Sequence, residues 1–588
     1  MPDVHGGGFE VWRTAEQPAP THDENAPDSA PRESSPATDT APRWSRWLTA
    51  VALAAIAVAL LLGTWLSRRN EWTPTLDIAA LELRVGAMSH DLPLVGVFSR
   101  MGWYHPGPAF IVQEWLPYRL FGVDGLAYGV VAGHLVALGL AWWMATRLNR
   151  VAGACVLLAG VVVLWARDPA QAMEPWNPWA GLVATITLMV AAWSAGERRR
   201  LGSVLVLPVA SYLLQAHLGF APLVGLLIAT AAVAALWRGE RGRAIPWVAW
   251  LVGAGLAALI WLPPLYEQLT RSPGNATLIL QSFGNEPPQG LVAGLLAVAD
   301  GFAVPPSWFH YSLLLPSSAG VPWLLLLPLA ATVAAVVRRD RLRITAMAVC
   351  WSSIVAVAVA VAFVSGAPAE YLVGWIPAVA STTVLLSTWI VGGLLVPQRL
   401  RVPGWTAAAA LELAAVALAV VTAFNWSSAS QLDAPKGRTV TALTDALVAD
   451  AGSRPAELVA GELRPSEILE LRQVFYGVLA GAVRDGIDIA APENIVWETT
   501  GAIPPDGGGD RVHYELQSVD PGRLYPPGTR LVVRYDPFTA EQWQAILAVD
   551  EQLGAPNLTP EQRMTLDRER FRLTGGQAAF EIVAVDQK

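Results

Sequence analysis

Eleven apolar runs constrain this chain more than any other feature. They cover 47–66, 126–145, 151–166, 179–195, 202–216, 220–237, 246–263, 321–337, 344–364, 375–395 and 405–425. Each is about 15 to 22 residues long, near the length a helix needs to cross a hydrocarbon core of roughly 30 Å. Inside lipid the backbone has no water to bond, so such runs are expected to be helices. The runs at 151–166 and 202–216 are short for a crossing. Composition agrees with a multi-pass membrane protein: of 588 residues, 53% are hydrophobic and 15% charged. A soluble chain carries roughly 25% charge.

Arginine placement predicts orientation. One set of short loops holds Arg147 and Arg150, Arg198 to Arg200, Arg238, Arg241 and Arg243, Arg338, Arg339, Arg341 and Arg343, and Arg399 and Arg401. The opposite short loops are nearly bare, with Arg167 alone in 167–178 and none in 217–219 or 365–374. Basic loops stay cytoplasmic. The N-terminus is therefore expected inside and the C-terminus outside, at the plasma membrane. An odd number of spans fits this alternation.

Three regions follow. Residues 1–42 are rich in Pro, Ala, Ser, Thr and Asp and are expected to form a disordered cytoplasmic tail. Residues 43–426 form the membrane module, with two long outer loops at 67–125 and 264–320. Stretches such as Trp115–Tyr118 and Trp308–Tyr311 suit helices lying in the interface. Residues 427–588 hold 24 acidic and 15 basic residues, a balance of −9, so the net charge of −8 belongs to this part and the rest is close to neutral. This part reads as an extracytoplasmic α/β domain. Helices are expected at 438–451, 463–484, 538–553 and 560–570, and strands at 457–460, 494–497, 530–535 and 580–585.

Several classes are excluded. No basic surface points to nucleic acid. Cys155 and Cys350 both lie in apolar runs, which leaves no disulfide framework or cysteine metal cluster. No metal-binding motif is present, so neither a metal nor another cofactor is expected. The 38 arginines against 2 lysines fit a GC-rich genome of the actinobacterial kind.

The most informative segment follows the first span. Thr75–Arg84 is helical in pattern and carries Asp77, Glu82 and Arg84. Ser99-Arg100-Met101-Gly102-Trp103-Tyr104-His105-Pro106-Gly107-Pro108 is dense in constrained residues. An early outer carboxylate, a long first loop, about eleven spans and an outer C-terminal domain resemble the GT-C superfamily of glycosyltransferases. The Ser99–Pro108 run, Trp176-Asn177-Pro178, Gln215-Ala216-His217-Leu218-Gly219 and the stretch from Leu262-Pro263-Pro264 to Pro273-Gly274-Asn275 carry the resemblance, which covers most of 47–425.

The resemblance implies a sugar taken from a polyprenyl-phosphate donor and passed to a glycan or lipid acceptor at the outer face, in cell-wall biogenesis. It implies a first-loop carboxylate as general base. Asp77 matches by position and Glu82 is second. Lipid phosphate would be met by Arg or His; the outer candidates are Arg68, Arg69, Arg84, Arg100, Arg271, His90, His105, His217 and His310. Trp103, Gln215, Glu370 and Tyr371 are further candidates for substrate contact. Superfamily members differ in their need for a divalent cation.

Plain structural roles stand beside these: Asp77 as a helix cap, Glu82 on a solvated face, Arg100 against lipid headgroups, His105 in loop packing, and Gln215 and His217 at a span end. Two other functions remain open, a flippase for lipid-linked glycans and a non-catalytic glycan-binding scaffold. The C-terminal part offers no convincing catalytic set and is expected to position the acceptor or brace the loops.

Overall fold

A computed structural model describes residues 44–585, apart from 70–71, 168, 238–243, 285, 310–314, 316–319, 367, 398–401, 429–433, 463, 465–466, 506–509 and 521. The expected tail at 1–42, Arg238, Arg241, Arg243, Arg399, Arg401 and His310 lie outside the described residues.

The chain opens with α1 (Trp44–Arg68), then the first-loop helices α2 (Leu76–Ala87) and α3 (Ala109–Phe121). Next come α4 (Asp124–Leu148), α5 (Arg150–Ala166), the short α6 (Pro169–Met173) and α7 (Asn177–Ala180), and α8 (Leu182–Gly196). α9 (Arg200–Ala216), α10 (Ala221–Leu236) and α11 (Trp247–Thr270) follow. The second long loop holds α12 (Asn275–Ser282) and α13 (Gly290–Gly301). α14 (Leu326–Val337), α15 (Arg341–Ala362), α16 (Ile376–Leu395) and α17 (Gly404–Ser427) complete the apolar part.

Among the described residues, 8 helices are long and apolar enough to cross a membrane. Every expected apolar run is helical. Three of the eleven, at Arg150–Ala166, Arg200–Ala216 and Trp323–Val337, fall below that length. The apolar α13 lies in a segment expected to be loop. One polar link crosses between helices of the bundle: Thr49 on α1 donates to Glu412 on α17 at 2.9 Å. Asn149 caps α5 by accepting from the Ala152 N–H at 3.1 Å, and Asp340 caps α15 by accepting from the Arg343 N–H at 3.2 Å.

The C-terminal part holds α18 (Ala434–Ala451), α19 (Ile468–Arg484), α20 (Glu493–Glu498), α21 (Ala540–Leu553) and α22 (Pro560–Thr574). Two short strands, β1 (Phe98–Ser99) and β2 (Trp103–Tyr104), make a hairpin in the first outer loop. The C-terminal sheet contains β3 (Ala456–Ala460), β4 (Ile489–Ala490), β5 (Val512–Ser518), β6 (Thr529–Tyr535) and β7 (Phe580–Val585), in the order β4-β3-β5-β7-β6. β3 runs parallel to β4 and β5; β7 is antiparallel to β5 and β6.

One expected strand is corrected. Residues 494–497 lie in α20. Their β-branched and aromatic side chains favour a strand. Pro492 before the element and Glu493 in its first turn favour a helix start, and only Ile495 is buried.

α2 joins the two halves. Ala79 and Leu83 are buried in the core of the C-terminal part with Val440, Val474 and Val478. Ile78, Leu81 and Val85 are buried in a second core with Phe110, Ile111 and Leu126. A helix buried on opposite faces has no solvated side. Leu83→Ala is expected to cost about 2–5 kcal/mol and to expose the C-terminal part to protease. Thermal unfolding in detergent with limited proteolysis checks it; wild-type melting and digestion would show that the two cores do not depend on this helix.

Candidate functional site

α2 starts from a strained residue. Leu76 has φ +46°, a left-handed conformation that costs an L-residue about 1–2 kcal/mol. Thr75 at the N-cap is extended and makes no side-chain cap bond. This sharp turn puts Asp77 in the first turn of α2, where the helix dipole favours a carboxylate.

Asp77 is half-buried, and its Oδ2 accepts a hydrogen bond from Trp176 Nε1 at 2.9 Å. The Trp176 ring meets Tyr371 at 4.7 Å between centroids. The guanidinium carbon of Arg100 lies 5.8 Å from the centre of the Tyr371 ring. Arg100 is exposed. Segments far apart in sequence thus bring Asp77, Trp176, Tyr371 and Arg100 into one cluster.

The electrostatics follow from that placement. Burial raises the Asp77 carboxyl above its ordinary range, while the Trp176 hydrogen bond and Arg472 oppose the rise and Glu498 adds to it. Burial also raises the Tyr371 phenol, opposed by Arg100 and reinforced by Asp77. Tyr371 therefore sits between a cation and an anion. Behind it, the buried Arg167 pairs with Glu370 and donates to the Gly374 carbonyl at 3.1 Å. Glu370 acts here by anchoring the segment that carries Tyr371.

The other first-loop candidates point elsewhere. Glu82 is 2% exposed, so a solvated face is excluded. It accepts from Tyr118 at 3.3 Å and lies 3.5 Å from Arg484 of α19. Arg84 is buried, with its guanidinium on the Val95 carbonyl at 2.8 Å and on the Gly96 carbonyl. It holds the loop backbone rather than facing the cluster with a free charge.

The Ser99–Pro108 run folds around the β1–β2 hairpin. Asn275 clamps it: Tyr104 N–H donates to Asn275 Oδ1 and Asn275 Nδ2 donates to the Tyr104 carbonyl, both at 2.8 Å. Trp103 is buried with its ring edge-on to His105 at 5.4 Å. Gln215 accepts from the Ala109 N–H at 3.3 Å and donates to the Ile260 carbonyl at 2.9 Å. A Cβ on Gly107 would lie 2.2 Å from the Gln215 side chain, so a larger residue there would displace Gln215 from its hydrogen bonds.

His105 and His217 pack with their rings tilted by 37° and centroids 4.5 Å apart. Each uses Nδ1 as an acceptor, from the Leu218 N–H at 3.2 Å and the Gly219 N–H at 3.1 Å. Burial and the neighbouring His217 hold the His105 imidazole well below its usual range. His105 is thus buried inside the loop, with its Nδ1 taken by the Leu218 N–H. Gln215, His105 and His217 set the position of the hairpin that presents Arg100.

Sequence reasoning missed Trp176 as a carboxylate partner, although it stands in the Trp176-Asn177-Pro178 motif. It also missed the clamping role of Asn275, although that residue stands in the Pro273-Gly274-Asn275 stretch, and it missed Arg167, Arg472, Arg484 and Glu498, for which only spatial proximity carries a signal. Among the described residues, no three His, Cys, Asp or Glu side chains come together as metal ligands.

No family model matches the chain. No curated protein matches it either. Solved structures similar to it include ArnT from Cupriavidus metallidurans bound to undecaprenyl phosphate. That likeness has a TM-score of 0.47 at 13% identity over 83% of this chain and 96% of that one. Another is the archaeal oligosaccharyltransferase AglB from Archaeoglobus fulgidus in complex with an inhibitory peptide and a dolichol-phosphate. It has a TM-score of 0.43 at 10% identity over 92% of this chain and 88% of that one. At such distance no residue role passes from them to this chain.

Glu82 supplies a test of the junction. Burial pushes its carboxyl up to about 7, against the opposing pull of Arg484 and Tyr118. The folded state holds this proton more tightly than the unfolded chain. Its stabilising contribution is full below the ordinary value of 4.5 and is lost as pH rises through about 7. Glu82→Gln is expected to flatten that fall. Melting curves of both forms between these pH values check it, and parallel pH dependence would refute the titration.

Proposed function

We propose that this chain is an integral membrane glycosyltransferase that uses a polyprenyl-phosphate sugar donor. Its acceptor is a hydroxyl of a cell-envelope glycan or lipid at the outer face. The arginine-rich loops support a cytoplasmic N-terminus, with 427–588 outside. The observation that carries the reading is the cluster with Asp77 and Arg100 on either side of Tyr371. A transferase of this kind needs one group to take a proton and another to meet a phosphate.

Asp77 is the general base. Trp176 occupies Oδ2, which leaves Oδ1 to accept the proton of the acceptor hydroxyl. Burial raises the proton affinity of this carboxyl, which makes its ionised form a stronger base. The acceptor oxygen forms its bond to the anomeric carbon as the bond to the donor phosphate breaks. The electron pair leaves with the lipid phosphate. Arg100 meets this developing charge, and Tyr371 keeps its guanidinium in position.

Asp77→Asn keeps the Trp176 contact but accepts no proton. It is expected to reduce transfer from a lipid-linked sugar in membranes by at least about 100-fold. Full turnover in a folded variant would remove Asp77 as base. Trp176→Phe deletes the hydrogen bond that favours the ionised carboxylate. Its acidic limb in a pH–rate profile is expected above that of the wild type; an unmoved limb would separate Trp176 from the base.

A further inference from the structure

The cluster has a roof supplied by the C-terminal part. α19 lies on α2, and its Arg472 and Tyr476, one turn apart, share a helix face. Both reach Glu498 at the end of α20. Arg472 donates to Glu498 Oε2 at 2.6 Å, and the Tyr476 hydroxyl donates to the same oxygen. Glu498 Oε1 has no hydrogen-bond partner among the described residues.

The next residue is an aromatic surface. Trp497 is 48% exposed. Its ring lies 5.3 Å from that of Tyr104, and the Tyr104 hydroxyl donates to the Trp497 carbonyl. Tyr104 is itself held by Asn275. An exposed indole is thereby fixed to the hairpin that carries Arg100. The Arg472 charge favours the ionised Asp77 carboxyl and the Glu498 charge opposes it, and α19 itself packs on α2, the helix that carries Asp77.

We propose that Trp497, Arg472 and Glu498 form the acceptor subsite, and that the acceptor is an uncharged hydroxylated ring, a sugar. The C–H face of a sugar ring is apolar and packs on a fixed aromatic surface, while its hydroxyls project in the ring plane. There Glu498 Oε1 accepts from one hydroxyl and Arg472 donates to another. Arg472 and Glu498 form an ion pair of no net charge, and the carboxylate disfavours a phosphate. The roof therefore suits the acceptor, and Arg100 below suits the donor. Tyr104 and Tyr476 are positioning residues.

The assignment rests on the reading of Asp77 as base, but its test does not use turnover alone. Saturation-transfer NMR on the full chain in lipid nanodiscs reads contact with methyl α-D-mannopyranoside and methyl α-D-arabinofuranoside. Transfer to ring protons is expected with the wild type and with Asp77→Asn for at least one glycoside. It is expected to be retained in Trp497→Phe and reduced about tenfold in Trp497→Ala. If transfer is active, Glu498→Gln is expected to raise the acceptor KM about tenfold with kcat and the donor KM nearly unchanged. No transfer to either glycoside with the wild type overturns the subsite. So does an equal signal from Trp497→Ala, or loss in both Trp497 variants. Binding that survives in Asp77→Asn while that variant also turns over normally overturns the base and leaves the subsite standing.

Discussion

The burial of α2 on opposite faces is the constraint on which the rest depends. A helix of 12 residues is too short to be stable alone. Here Ala79 and Leu83 complete the core of the C-terminal part, while Ile78, Leu81 and Val85 complete the core of the first outer loop. Neither core closes without it. That two-sided grip supplies the packing energy that tolerates the left-handed Leu76, and Leu76 is what turns the chain directly into Asp77. The position of the carboxylate is thus a consequence of packing several residues away.

A second device fixes the opposite wall. The β1–β2 hairpin has only two residues per strand, too few to hold itself. Asn275 supplies both hydrogen bonds that a neighbouring strand would have made to Tyr104. Gln215 packs against Gly107 where any side chain would collide. The second outer loop and the end of α9 therefore position the first loop. The cluster is assembled from segments that touch only in three dimensions.

This explains what the sequence made legible. Apolar runs report burial in lipid directly, and all eleven are helices. Asp77, Arg100 and Tyr371 were visible because each stands in a constrained outer segment, and the structure brings them together. β5 was overlooked although Val512, Tyr514 and Leu516 alternate with His513, Glu515 and Gln517. Its polar half reads as surface until the sheet buries it. Trp497 was assigned to a strand by propensity, and one and a half turns of helix carry too little periodicity to correct that. Arg472 and Glu498 are ordinary charges in a sequence; only the contact of α19 with α2 gives them a site to serve.

The two first-loop carboxylates show how burial alone fails to assign a role. Burial raises both Asp77 and Glu82. Glu82 lies almost fully inside, against Tyr118 and Arg484, with no surface for an acceptor. Protonating it relieves a buried charge and changes the grip between α2 and α19. Asp77 keeps part of its surface open in the cluster, with one oxygen tied to Trp176 and the other directed by that tie. A base must meet its substrate as well as hold a suitable proton affinity. In the proposed mechanism access, not the shift, favours Asp77 over Glu82, whose contacts with Tyr118 and Arg484 lie at the junction of α2 with α3 and α19.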